Sequence, residues 1–230
     1  MVLLSGEGGI GKSRLVQVLK DHIANEPHTL WECRSLPYYQ HTALYPIVDL
    51  IQRTLRWQPQ HTPEEKLATL AQELSQYRLP VEESVQLFAP LLSLPVPEQA
   101  SPPLHLSPQC MRQRTLEALV AILLEQAEQH PILFIVEDLH WTDPTTFEFM
   151  NLLIDQTPTA SLLVLLTCRS HFQPAWHHRS YLTEITVNRL SHAQVEQLVN
   201  RMTDGKTFPA AVLQQIIAKT DGVPLFLSRK

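Results

Sequence analysis

Four of the six glycines in this 230-residue chain lie between positions 6 and 11. They belong to Gly6-Glu7-Gly8-Gly9-Ile10-Gly11-Lys12-Ser13, which matches the pattern G-x-x-x-x-G-K-[ST]. Phosphate binding needs these residue types at this spacing. Glycines let the backbone turn so that successive N–H groups point inward at phosphate oxygens. Lys12 would set a positive charge against the β- and γ-phosphates, and Ser13 would offer its hydroxyl to Mg²⁺. A helix opening at this point adds the positive end of its dipole. The nucleotide-contacting set is therefore Gly6, Glu7, Gly8, Gly9, Ile10, Gly11, Lys12, Ser13 and Arg14. The flanks suit the motif. Val2-Leu3-Leu4 reads as a short buried strand, and Leu15, Val18, Leu19 and Ile23 recur at helical spacing until Pro27 closes the segment.

A second constellation follows Pro131. The run Ile132–Val136 is continuously apolar, as in a strand covered on both faces, and it ends in Glu137-Asp138. In a phosphate-loop protein such a pair does two jobs: one carboxylate holds a water of the Mg²⁺ shell, the other polarises the attacking water. Position gives Glu137 the metal and Asp138 the water. Residue type gives the reverse, since Asp is the usual metal-side residue, and both assignments stand at this stage. His140, Trp141 and Asp143 come next, with Asp143-Pro144 reading as a helix cap. Further on, Leu163–Leu166 leads into Thr167-Cys168-Arg169. Arg169 at the end of that strand could reach the γ-phosphate and report whether ATP or ADP is bound. Cys168 reads as a small packing residue. Gly222-Val223-Pro224 has the residue types of a helix C-cap with a following proline.

Charge and composition exclude other classes. Lys plus Arg number 18 and Asp plus Glu 23, a net −5 that is wrong for a broad basic nucleic-acid face. The longest apolar runs, such as Ile132–Val136 and Leu162–Leu166, fall far short of the ~18 residues of a membrane span. The N-terminus carries no signal-peptide pattern. Cys33, Cys110 and Cys168 fit neither a zinc spacing nor a disulfide framework, which points to a reducing, cytoplasmic compartment. His177-His178, with His171 nearby, has no Cys or carboxylate at ligand spacing and reads as a polar surface loop.

The remaining segments read as Thr29–Cys33 (strand), Ile47–Leu55 and Pro63–Tyr77 (helices), a proline-rich loop over 90–108 unable to hold a regular helix, and Arg114–Gln129 (helix). Thr145–Asp155 is helical, Ser161–Thr167 and Glu184–Val187 are strands, and the tail is two helices, Ala193–Met202 and Pro209–Lys219, ended by Asp221-Gly222 and Pro224. Alternating strands and helices imply an α/β fold with a mostly parallel sheet.

Taken in order, Gly6–Ser13, LFIVEDLHWTD at 133–143, Thr167-Cys168-Arg169 and DGVPL at 221–225 resemble the STAND-type signalling ATPases. The chain looks most like the AAA-related ATPase modules of adenylate/guanylate cyclase-associated and LuxR-type bacterial regulators, and the similarity includes ALYPIVDLI at 43–51. The resemblance implies an ASCE-type P-loop NTPase, three-layer α/β/α, with strand order 5-1-4-3-2. It implies a core over 1–188 with a large helical insert at 36–130, and a partial helical lid over 189–230. It implies ATP and Mg²⁺ as cofactors and a role for Pro224 at the adenine. Carried onto this chain, Lys12 and Ser13 bind phosphate and metal, Glu137 and Asp138 serve metal and water, and Arg169 senses phosphate. Partners would be the other domains of a larger regulator or a separate protein, with an ATP-dependent oligomer compatible with the class. The chain opens directly on the first strand, stops at Lys230, and has LFLSRK at 225–230 where the family has an acidic continuation. It therefore reads as an isolated or truncated module.

The leading expectation is an ATP-binding regulatory switch with slow hydrolysis. Two alternatives are carried: a non-catalytic, ATP-dependent interaction module using the 36–130 insert as its surface, and a small-molecule P-loop kinase, against which the acidic pair beside His140-Trp141 speaks.

Overall fold

The computed structural model describes residues 1–95, 104–174, 176, 179–203 and 208–228. Pro97, Pro102 and Pro103 of the proline-rich stretch, the His177-His178 pair, and Arg229 and Lys230 lie outside the described residues. The strands are β1 (Val2–Gly6), β2 (Thr29–Arg34), β3 (Ile132–Glu137), β4 (Leu162–Cys168) and β5 (Thr183–Val187). The helices are α1 (Lys12–His22), α2 (Tyr45–Thr54), α3 (Pro63–Leu74), α4 (Val81–Leu91), α5 (Pro108–Gln129), α6 (Pro144–Gln156), α7 (His192–Met202), α8 (Ala210–Thr220) and α9 (Pro224–Ser228). All five strands are parallel and lie in the order β2-β3-β4-β1-β5, the expected order read from the other edge. This is the α/β P-loop NTPase fold. The chain packs as two units, Pro27–Leu165 (with Met1) and Val2–Glu26 with Leu166–Lys230.

In the first unit β3 is the core strand. Its five apolar residues are all buried, Phe134 and Ile135 completely. Phe134 meets Phe149 of α6 edge-on at 6.1 Å and Trp31 of β2 at 6.2 Å. Helix α5 adds Leu116, Leu119 and Leu123. Each such side chain contributes about 1.5–3 kcal/mol on burial. The register of β2 on β3 pairs Thr29 with Ile132 and Arg34 with Glu137, which carries Arg34 to the acidic end of β3.

The proline-rich stretch departs from expectation at both ends. Pro90 lies inside α4, a helix the periodicity did not reveal, and Pro108 is the first residue of α5, which starts six residues before Arg114. Pro90 has no N–H to give the Gln86 carbonyl, and α4 runs only one residue beyond it. The helix closes directly after it, with Ser93 at φ 57 and Leu94 N–H donating to the Ala89 carbonyl (2.8 Å). Pro108 suits the first helical position, where no N–H is needed, and Ser107 caps the helix by accepting from Cys110 N (3.2 Å).

In the second unit β1 pairs with β5 in a register that sets Gly6 opposite Val187. β5 is mostly exposed. The apolar face expected for α1 is also corrected. Val16 is buried, whereas Leu15 and Val18 are 46% and 48% exposed. Lys12 is buried as well and fixes the rotation of the helix, so the residue one turn on, Val16, faces inward. At the other end α8 stops where Asp221 (φ 47) and Gly222 (φ 72) turn left-handed. Pro224 then opens the short α9 instead of ending the helical tail. Among the described residues no helix is long and apolar enough to cross a membrane.

Candidate nucleotide site

In the second unit the glycine cluster forms a loop between β1 and α1. Gly9 (φ 77) and Gly11 (φ 106) both take left-handed backbone, which a side chain would strain, and Gly11 is the N-cap of α1. Lys12 is 7% exposed, and its Nζ donates to the carbonyl oxygens of Gly6 (3.0 Å) and Glu7 (2.9 Å). A buried ammonium is thus held along the inner edge of the loop. Ile10 is buried against Gly6, and Ser13 and Arg14 lie exposed in the first turn of α1.

Arg169, directly after β4, and Leu225 of α9 pack on this loop. A methyl group added at Gly8 would overlap Arg169 Nη1 and stand 2.9 Å from Cζ, so the guanidinium rests against the loop backbone. Leu225 N–H donates to the Gly9 carbonyl (3.1 Å), and a methyl group at Gly9 would stand 2.7 Å from Leu225 Cβ. A cavity of about 420 Å³ is lined here by Glu7, Gly8, Arg169, Arg189, Asp221 and Phe226 among others. Pro224 immediately precedes Leu225 and is half-buried. Substituting Gly9→Ala is expected to strain the loop and push α9 off it, weakening ATP binding roughly tenfold in an equilibrium titration. Unchanged affinity would show that neither the backbone angle nor the Leu225 contact matters.

Arg189, two residues past β5, is a site residue that sequence reading missed. Its Nη2 donates to Glu7 Oε1 (3.0 Å) and Oε2 (2.9 Å), its Nε to Glu7 Oε2 (3.1 Å), and its Nη1 to Asp221. Hydrogen bonding to Glu7 and the charge of Asp221 hold the guanidinium pKa above its ordinary value. The group is solvent-exposed, so the linkage is weak and salt-screened. It nonetheless joins the variable Glu7 of the phosphate loop to the start of the 221–225 segment. No local sequence signal marks it; the β1–β5 register brings it to the loop.

Cys168 closes β4 and is fully buried. Burial pushes its thiol up to about 11, opposed by the nearby positive charge of Lys12, while burial also raises Cys33 strongly. Both remain protonated at pH 8, below their raised values, and Cys110 is exposed. A thiol-titrating disulfide reagent at pH 8 should therefore react quickly with one of the three cysteines in the native chain and with all three in denaturant. Fast reaction of a second thiol would contradict this burial pattern.

In the first unit Glu137 is the last residue of β3, and its carbonyl accepts from Ser35 N (2.9 Å). Asp138 follows at φ 58. Its Oδ2 accepts from Arg34 Nε (3.3 Å) and Nη2 (3.2 Å), an ion pair that sequence reading also missed. Ser35 and Thr142 share a hydroxyl hydrogen bond of 2.6 Å, which ties the end of β2 to the loop carrying His140 and Trp141. Asp143 is 2% exposed and caps α6 as expected, accepting from Thr145 N (3.0 Å), Thr146 N (2.9 Å) and the Thr146 hydroxyl. It also accepts from Leu44 N (3.1 Å), the residue before α2. One carboxylate thus anchors the starts of two helices, which joins the ALYPIVDLI and LFIVEDLHWTD segments.

Among the described residues no group of three or more His, Cys, Asp or Glu is arranged to hold a metal by itself. Each unit carries hard oxygen donors of its own: the Ser13 hydroxyl in the second, and the Glu137 and Asp138 carboxylates in the first. These hard oxygen ligands suit Mg²⁺, which commonly takes one or two carboxylates and completes its shell with phosphates and water.

The model of the AAA ATPase domain matches residues 1–165, from β1 and the phosphate loop to within β4. The chain belongs to the AAA ATPase domain family. As a member of that family it is an ATP-binding NTPase module. An uncharacterized protein of Rhizobium meliloti (strain 1021) is 23% identical over 232 residues, covering 99% of this chain and 22% of the relative. This AAA ATPase domain chain therefore spans about a fifth of that relative's length. Among solved structures, a Pyrococcus horikoshii signal transduction ATPase with numerous domains (STAND), bearing a tetratricopeptide repeat sensor, matches at 13% identity and TM-score 0.49. That match covers 100% of this chain and 28% of the other. A chain of the E. coli MS115-1 HORMA–CdnC–Trip13 complex matches at 12% identity and TM-score 0.48, covering 95% and 58%.

Proposed function

We propose that the chain is the nucleotide switch of a STAND-type regulator, binding ATP with Mg²⁺ and hydrolysing it slowly. The observation that carries this reading is the loop from Gly6 to Ser13, with Lys12 buried along it and both Arg169 and Leu225 packed on it. Lys12 and the loop amides would hold the phosphates, Ser13 the metal, and Arg169 the γ-phosphate. Glu137 and Asp138 would supply the metal-side and water-side carboxylates. Mg²⁺ would neutralise charge on the transferring phosphate. Catalysis would otherwise be positioning and electrostatics, by in-line attack of water.

Residues 1–188 would be the core with its insert at 36–130, and 189–230 the start of a lid. Pro224 would lie at the adenine. Because Leu225 hydrogen-bonds to Gly9, a change in the loop on γ-phosphate loss would be felt directly by the 221–225 segment. Other domains of a larger regulator would read that change, and an ATP-dependent oligomer fits the same scheme.

The ion pair of Arg34 with Asp138 favours a second reading, an ATP-dependent interaction module without turnover, since it engages one of the two carboxylates. Single-turnover hydrolysis separates the two. The switch reading expects slow, Mg²⁺-dependent release of phosphate. It also expects a loss of about 100-fold or more when the water-side carboxylate is neutralised, in Glu137→Gln or Asp138→Asn, with ATP affinity kept. The metal-side variant should instead raise the Mg²⁺ requirement. ATP bound by the chain with no Mg²⁺-dependent release of phosphate would establish the second reading.

A further inference from the structure

The first unit contains a concavity whose lining includes none of the candidate nucleotide-site residues. It has a volume of about 180 Å³ and lies among β2, α2, α3, α4 and α5. Its wall is largely aliphatic and aromatic: Leu50, Leu55, Leu70, Leu74, Phe88 and Leu119, each no more than 9% exposed. The concavity is reached from solvent past Leu30 and Thr54, both exposed, and an apolar cavity of about 150 Å³ in another protein takes benzene.

One side of the wall is polar and ordered. Trp31 Nε1 donates to Gln126 Oε1 (2.9 Å), Gln126 Nε2 donates to the Tyr77 hydroxyl, and Tyr77 OH donates to Glu73 Oε1 (3.3 Å). All four residues line the cavity. A primary amide has two N–H donors and an oxygen with two lone pairs, so these contacts leave Gln126 one donor and one acceptor position. The neighbouring bonds hold the amide in a fixed orientation.

We infer that this cavity is a binding site for a compact, mostly apolar small molecule, about one aromatic ring in size, carrying a single hydrogen-bonding group that meets Gln126. Apolar shape supplies the affinity and the amide supplies the selection, the usual division of labour in small-ligand sites. Nothing in the ATP-binding role requires the cavity, so the inference stands or falls apart from that role.

The test is calorimetric titration of the whole chain with p-cresol and with toluene, which differ by one hydroxyl. Saturable binding of p-cresol is expected at one site, with a dissociation constant on the order of 0.1–1 mM for a ligand of this size. Gln126→Leu should weaken p-cresol at least fivefold and leave toluene within twofold. Ile51→Phe, at a half-buried lining position, should fill the space and weaken both ligands at least tenfold. If that variant is not folded by circular dichroism, Thr54→Phe at an exposed lining position takes its place. No saturable binding up to 10-fold above the expected constant, or binding untouched by the filling variant, would overturn the proposal. ATP affinity should be unchanged in all three variants.

Discussion

Lys12→Ala is expected to weaken ATP binding by roughly 100-fold or more, since charge-assisted hydrogen bonds to phosphate contribute about 1.5–3 kcal/mol each. The geometry makes the effect specific. The Lys12 ammonium is buried and held by the Gly6 and Glu7 carbonyls, so its position is set by the loop itself. No other side chain on α1 can take over: Ser13 and Arg14 are exposed, and Val16 is the next residue facing inward. Lys12→Met would keep most of the apolar stem and lose the charge, so equal losses in the two variants would assign the effect to the ammonium. The chain should remain folded in both, which circular dichroism can check. ATP affinity within a factor of three of wild type would remove Lys12 from the site.

Asp143→Ala should be a strongly destabilising change away from the phosphate loop, costing about 3 kcal/mol. The loss is more than that of one cap. The carboxylate accepts from two amides and a hydroxyl at the start of α6, and from Leu44 N–H at the start of α2. Leu44 sits at φ 56 with no side-chain cap of its own, so its amide loses its partner in a buried place. For a chain of this size such a loss lowers Tm by roughly 6–12 °C. Asp143→Asn keeps one oxygen acceptor and should lose less. A thermal unfolding curve for Asp143→Ala that coincides with wild type would mean that Asp143 does not join the two helices as described.

Local chemistry was legible in the sequence; long-range pairing was not. The glycine cluster, the strand ending in Glu137-Asp138 and the Asp143-Pro144 cap each carry their signal within a few neighbouring residues, and the structure forms all three. Helix α4 is hidden in the sequence because Pro90 argues against a helix through that position, and composition does not show that the helix ends one residue later. The inward face of α1 was misjudged because Leu15 and Val18 weigh more in an apolar count than a buried lysine does. Arg189 and Glu7 are 182 positions apart, and Arg34 and Asp138 are 104 apart. Only the parallel registers of β1 with β5 and of β2 with β3 bring those charges together.

The most direct measurement is an equilibrium titration of the purified chain with ATP, with and without Mg²⁺. Saturable binding of one ATP per chain is predicted, tightened by Mg²⁺ and reversed by excess ADP. Absence of saturable ATP binding by the folded wild-type chain would contradict the account.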